Sequence, residues 1–295
     1  MSAPDEIWKL GEERQRARAA RDFVEADRIR DLLLSLGWEI IDVSGQFELR
    51  PKLRYLEIPQ IDGLKPLFEG TEIALAMIVD GFTDHAVTTV QTIRKYCATP
   101  IFILSLSEVG KLDELISKNT VLVRITDECG WAKGANAILS AVKSKYLVLM
   151  DPSTQFEGDA ISLVLDELKS SEYVAAGWRG GLINLEDEWR SVDDKGAGEV
   201  DVIFSYFMGL NREAALEVGA FNPRASYYRN ADIEFSLRLR QAGGRLLQMD
   251  LPLTQARHHG YHDVDSDFRE VQSKQNYDRI LERFRGKNAI LSPRR

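Results

Sequence analysis

A chain of 295 residues, 44% of them hydrophobic, carries enough apolar material for one large folded domain and a smaller appendage. Its net charge of -8 and pI near 5.2 exclude general attraction to nucleic acid or anionic membranes, leaving only a local basic patch for such a role. Two cysteines, Cys97 and Cys129, are too few for a disulfide framework and lack metal-like spacing. Reduced thiols and a cytoplasmic location are therefore expected. The start "MSAPDEIWKL" has no secretory-signal pattern, and no apolar run approaches the roughly 20 residues that a bilayer span needs.

Residues 1–56 are expected to form a module of their own. From Glu12 to Gly37 the chain is rich in helix formers and free of proline, which predicts a helix. Its apolar stripe is Ala26, Ile29, Leu33 and Leu36, and Gly37 is placed to end it. "WEIIDV" and "QFELRP" then predict two strands around the turn Ser44-Gly45. The arginines of this module are matched by a similar number of acids, so a solvated face with charge pairs is expected from the pattern alone.

Residues 57–70 mix two prolines and two glycines with scattered apolar residues and are expected as a linker. From Thr71 the pattern changes. "EIALAMIV", "IFILSL", "TVLVRI" and "KYLVLM" predict buried strands, separated by helices after Asp84, Gly110 and Trp131. That alternation predicts an α/β domain with a mostly parallel sheet and helices on both faces. The last segment, residues 263–295, reads as a charged amphipathic helix and a basic tail that packs on the domain or on a second subunit.

Ligands of open α/β sheets bind beyond the carboxyl ends of the strands. Asp151 stands at such an end, where a carboxylate is able to hold a divalent cation against a diphosphate. A turn opened by Asp151 with Pro152, Ser153 and Thr154 accounts for the same residues. Asp232 likewise reads as a first-turn helix acid. His258, His259 and His262 are three of four histidines and fall within five positions. "WRGGLINLEDEW" reads either as a flap with tryptophans for a sugar or as core packing.

"GWAKGANAILSAVKSKYLVLMDPS" resembles the nucleotide-sugar half of family 2 glycosyltransferases of the GT-A fold, through Gly130, Gly134, Asn136, Ala141 and Asp151. Ser153 stands where the pattern has its second aspartate. "ALAMIVDGF" corresponds to the first strand, with Asp80 beside the nucleotide. Ser105 and Ser107 occupy the place where many members carry a base-recognising acid. The stretch from Tyr206 to Asp250 resembles the acceptor half, through Gly219-Ala220-Phe221, Asp232, Arg238 and Gly243, with Ala231 in place of an acidic neighbour.

The resemblance covers about residues 71–262. It implies a GT-A (Rossmann-like nucleotide-diphospho-sugar transferase) domain that moves a sugar from a nucleotide-diphosphate donor to an acceptor hydroxyl, with inversion. Asp232 is the implied base; Asp80, Gly134, Asn136, Asp151 and Ser153 the implied donor site; Asp151 and His258 the implied ligands of Mn or Mg. The alternative on the same residues is a non-catalytic nucleotide-sugar-binding or regulatory protein. About 40 residues of the N-terminal module, including Arg21-Asp22-Phe23, Glu25-Ala26-Asp27 and Ile29-Arg30-Asp31, resemble the C-terminal helical region of cysteinyl-tRNA synthetases. That likeness implies either subunit association, making a homo-oligomer, or contact with tRNA or another nucleic acid as acceptor.

Overall fold

The computed structural model describes residues 3–256 and 265–294, and the chain separates into two units, Met1–Arg54 and Tyr55–Arg295. The first unit holds two helices, α1 (Asp5–Ala19) and α2 (Phe23–Ser35), and a hairpin of β1 (Trp38–Val43) and β2 (Gln46–Pro51). The single helix expected from Glu12 to Gly37 is broken instead. Arg21 adopts a left-handed φ of 59°, and the Asp22 carboxylate accepts from the Glu25 amide at 3.0 Å to start α2. The spacing Asp22-x-x-Glu25 is itself a helix-start signal that composition masked. Gly37 ends α2 at φ 82° as expected. Ala26, Ile29 and Leu33 are buried, but Leu36 is half exposed and outside the stripe.

The arginines are not one uniform solvated face. Arg14, buried, grips both oxygens of Asp42 at 2.8 and 3.1 Å, and Arg18 reaches the same carboxylate. Arg14, and after it Arg18, holds the Asp42 carboxyl below its ordinary value. Arg28 and Arg30 pair with Glu25 and Asp27 one helical turn away. Gly11 lies against the Phe47 ring, where an added Cβ would stand 2.4 Å from it. Alanine gains up to about 1 kcal/mol of helix propensity, whereas overpacking costs about 1–3 kcal/mol. Gly11→Ala is therefore expected to loosen this unit, seen as faster amide exchange along β2. Unchanged protection would mean that Phe47 swings aside freely.

The second unit is built on a 10-stranded sheet. Its strands are β3 (Leu56–Ile58), β4 (Ile73–Val79), β5 (Ile101–Ser105), β6 (Thr120–Ile125), β7 (Tyr146–Met150), β9 (Ala175–Ile183), β10 (Val192–Asp193), β11 (Gly198–Val200), β12 (Val202–Asn211) and β13 (Leu246–Gln248). A separate pair joins β8 (Thr154–Phe156) to β14 (Leu253–Gln255). The helices are α3 (Thr83–Arg94), α4 (Trp131–Ala141), α5 (Ala160–Lys169), α6 (Arg212–Glu217), α7 (Ala231–Gln241) and α8 (Ser266–Phe284). The helix expected after Gly110 is a short 3-10 segment. Residues 57–70, expected as a linker, include the end of β3, which pairs parallel to β6 at the sheet edge.

β7, β4, β5, β6 and β3 run parallel in that order, and β12 joins β7 antiparallel. Side chains of β4 alternate between two cores. Ala74, Ala76 and Ile78 face α4 and α7, while Ile73, Leu75, Met77 and Val79 face α3 and α5. Burial on both faces explains why these strands read as unbroken apolar runs. α8 packs Ile280 and Phe284 against Ile233 and Leu237 of α7, so the C-terminal helix docks on the domain. Among the described residues no helix is long and apolar enough to cross a membrane.

Candidate active site

The chain goes from β4 to β5 to β6 in one direction, then returns with β7 to the other side of β4. The crevice where the direction reverses is where open α/β sheets bind ligands. A cavity of about 580 Å³ lies there. Each of the four strands sends residues to it from its carboxyl end: Asp80 after β4, Leu106 after β5, Thr126 to Cys129 after β6, and Asp151 after β7. A second cavity of about 400 Å³ shares Asp151, Ser205 and Tyr228 with the first and adds Asp232.

Asp151 is held in place. Its Oδ1 accepts from the Ser153 amide at 2.8 Å and the Ser153 hydroxyl at 2.6 Å, and its own amide donates to the Tyr206 carbonyl. Ser153 is buried and aligns the carboxylate; it is on the wall of neither cavity. The turn and the site are thus one arrangement, with Asp151 opening the turn and lining both cavities.

Asp232 is not the helix cap. The residue before α7 is Asn230, whose side chain makes no capping bond, while Asp232 Oδ2 accepts from the Ser205 amide at 2.9 Å and its hydroxyl at 3.2 Å. Burial pushes the Asp232 carboxyl up, against the downward pull of the bonds from Ser205 and Ile233.

Ser205 is delivered by a bulge. The β12–β9 register slips between Ile203 and Phe207, and Arg179, opposite the slip, takes a left-handed φ of 58°. Bulges of this kind re-aim side chains beside sites, and a non-glycine residue at positive φ marks stored strain. "WRGGLINLEDEW" is therefore no flap. It begins within the long strand β9, and Trp189 is 3% exposed in a core with α7 and α8.

The other motif residues are scaffold. Gly134 sits inside α4, where a Cβ would lie 3.2 Å from Leu104. The Asn136 amide takes the Phe221 amide at 2.8 Å and donates to its carbonyl at 2.9 Å. Arg238 donates to the carbonyls of Val218 and Ala220, so both side chains grip the turn through Gly219. Phe221 then packs edge-on to Trp131, a wall of the larger cavity. Ser105 donates to the Ser107 carbonyl, and the Ser107 hydroxyl accepts from the Gly81 amide 26 residues away. His258, His259 and His262 lie outside the described residues.

Sequence reasoning missed Tyr228 and the acids Asp127 and Glu128. Burial, then Tyr227 and the charges of Asp151 and Asp232, pushes the Tyr228 hydroxyl up, so it stays a proton donor between the two cavities. Asp127 and Glu128 come just after Thr126, beyond the end of β6, and that strand-end position was the available signal.

No family model matches the chain. Among solved structures it is similar to GalNAc-T7 with UDP, GalNAc and Mn2+, with a TM-score of 0.56 and 12% identity over 76% of this chain and 52% of that one. It is also similar to the mannosyltransferase PcManGT from Pyrobaculum calidifontis with GDP-Man and Mn2+, with a TM-score of 0.55 and 12% identity over 94% of this chain and 76% of that one. By sequence, 39 residues are 56% identical to the cysteine–tRNA ligase of Caldicellulosiruptor saccharolyticus and 39 are 62% identical to that of Streptococcus mutans. These stretches are 13% of this chain, and they span only 8% and 9% of the two ligases. The chain spans about half of GalNAc-T7. With its parallel-rich sheet and strand-end crevice, the second unit has the GT-A glycosyltransferase fold.

Proposed function

We infer that the protein transfers a sugar from a nucleoside diphosphate donor to an acceptor hydroxyl. One observation carries this reading: two cavities meet at Asp151, Ser205 and Tyr228, with a buried carboxylate, Asp232, on the far one. The larger cavity takes the nucleotide and the smaller the acceptor. Asp232 removes the acceptor proton as its oxygen attacks the anomeric carbon, and an elevated pKa makes it a stronger base than an exposed carboxylate. Displacement from the face opposite the diphosphate inverts the anomeric centre.

The donor side fits a hard divalent cation by its chemistry. Its walls carry the carboxylates of Asp80, Asp127, Glu128 and Asp151 and, among the described residues, no lysine or arginine. A diphosphate entering such a wall needs positive charge brought with it. No group of three His, Cys, Asp or Glu among the described residues forms a ready cation cage. That suits Mg or Mn, which take one or two protein carboxylates and complete their shell with phosphate and water. Asp151 and Asp80 would hold the ion, with His258 the further candidate. When bound, the ion neutralises charge on the departing diphosphate.

The test is a thermal-shift panel of UDP-, GDP- and dTDP-sugars with Mn, followed by an assay for released nucleoside diphosphate. One donor class should raise the melting temperature and be consumed. Binding of a donor that is never consumed, whatever the acceptor, would favour a regulatory binding protein instead.

A further inference from the structure

The two cavities differ in charge. The charged residues of the donor wall are all acids, whereas the smaller cavity is lined by two arginines, Arg190 and Arg229, besides Asp151 and Asp232. Arg190 reaches Glu188 only at 4.0 Å, and Arg285 engages that same carboxylate more closely. An exposed pair of this kind contributes little, so Arg190 gives up little on turning to a ligand.

Much of the remaining wall is aromatic. Phe204 and Tyr206 meet edge to face with centroids 6.1 Å apart, and the Tyr277 hydroxyl donates to the Trp189 carbonyl, which fixes its ring. Rigid rings suit the apolar C–H face of a pyranose, and guanidinium forks suit a carboxylate or phosphate.

We propose that the acceptor is an anionic saccharide, with its ring against these aromatic faces and its carboxylate or phosphate on Arg190 and Arg229. The proposal rests on reading the smaller cavity as the acceptor side. A neutral sugar would use the rings and make no use of the Arg190 guanidinium, which is held, among the described residues, only by its long pair with Glu188.

Calorimetric titration of the full chain, without donor, compares methyl glucuronide, glucose 6-phosphate and methyl glucoside. At least one acidic sugar should bind about tenfold or more tightly than the glucoside, as expected for a charge-assisted contact. The stronger of the two distinguishes carboxylate from phosphate. Arg190→Gln and Arg229→Gln should each remove most of that preference, while glucoside affinity and Mn-nucleotide binding stay unchanged in both and the melting temperature stays unchanged in Arg190→Gln. Equal affinity for all three sugars in the native chain overturns the proposal. So does loss of Mn-nucleotide binding in the arginine variants, which would place these residues on the donor. Acid preference in a chain that neither binds nor consumes any nucleotide sugar would sustain the anionic site and sink the transferase reading. Donor consumption without acid preference would do the reverse.

Discussion

Asp232→Asn should lower sugar transfer by about 10²-fold or more, the range expected for a lost general base, with donor affinity nearly unchanged. Asparagine keeps an oxygen for the Ser205 amide and hydroxyl and gives up only the bond from the Ile233 amide, so the helix and the bulge should hold their places. Acting as the proposed base, this carboxyl must be deprotonated. Because burial raises its pKa, the acidic limb of the rate profile should lie above the ordinary carboxylate range and vanish in the variant. Stability supplies a second reading. A carboxyl raised in the folded state contributes stability below its unfolded pKa of about 4 and loses it as pH climbs through the folded value. Asp232→Asn should therefore melt higher than the native chain near neutral pH, and the gap should close below about pH 4. Full activity in the variant would place the base elsewhere. A melting temperature well below native at neutral pH would mean that the carboxylate serves the fold.

Asp151→Ala should abolish the stabilisation that a nucleoside diphosphate and Mn confer together. At ligand 100-fold above its dissociation constant the native chain gains about 2.7 kcal/mol, an easily read rise in melting temperature. The substitution also strips the acceptor from the Ser153 amide and hydroxyl, so the ligand-free protein should lose about 1–3 kcal/mol as well. Asp151→Asn separates the two effects. It keeps an oxygen for Ser153 but lacks the negative charge, so its ligand-free melting should stay near native while the response to Mn and nucleotide disappears. An undiminished response in Asp151→Asn would remove this residue from the site.

β4 and β7 were legible because a strand buried on both faces is apolar at every position. Such a run, stopped by an acid, is local information. Ile73 to Val79 ending at Asp80, and Tyr146 to Met150 ending at Asp151, are readable from neighbours in the chain alone. The same holds for the Ser44-Gly45 hairpin and the Gly37 helix end, each set by the conformational limits of two or three residues. The helix break at Asp22 was local too, but its capping pair lay within a run of helix formers that favoured continuation.

The remainder belonged to the tertiary structure. Asn136 and Asp232 both carry motif positions, yet one clamps the Phe221 backbone and the other lines a cavity. No spacing distinguishes them, because each role depends on a partner far along the chain. Ser205 enters the site only through the slip between β12 and β9, which is a property of two paired strands and of neither alone. Tyr228 gains its role from standing where two cavities meet. The rise in the Asp232 pKa was likewise unreadable, since the sequence shows a first-turn acid but not the burial that raises it. The sequence by itself determined the strands, the turns and the acids at their ends, because those follow from contacts within a few residues. Which of those acids share one crevice, and in what state of charge, was decided by packing between segments about 80 residues apart, where desolvation and strand register act and local propensity does not.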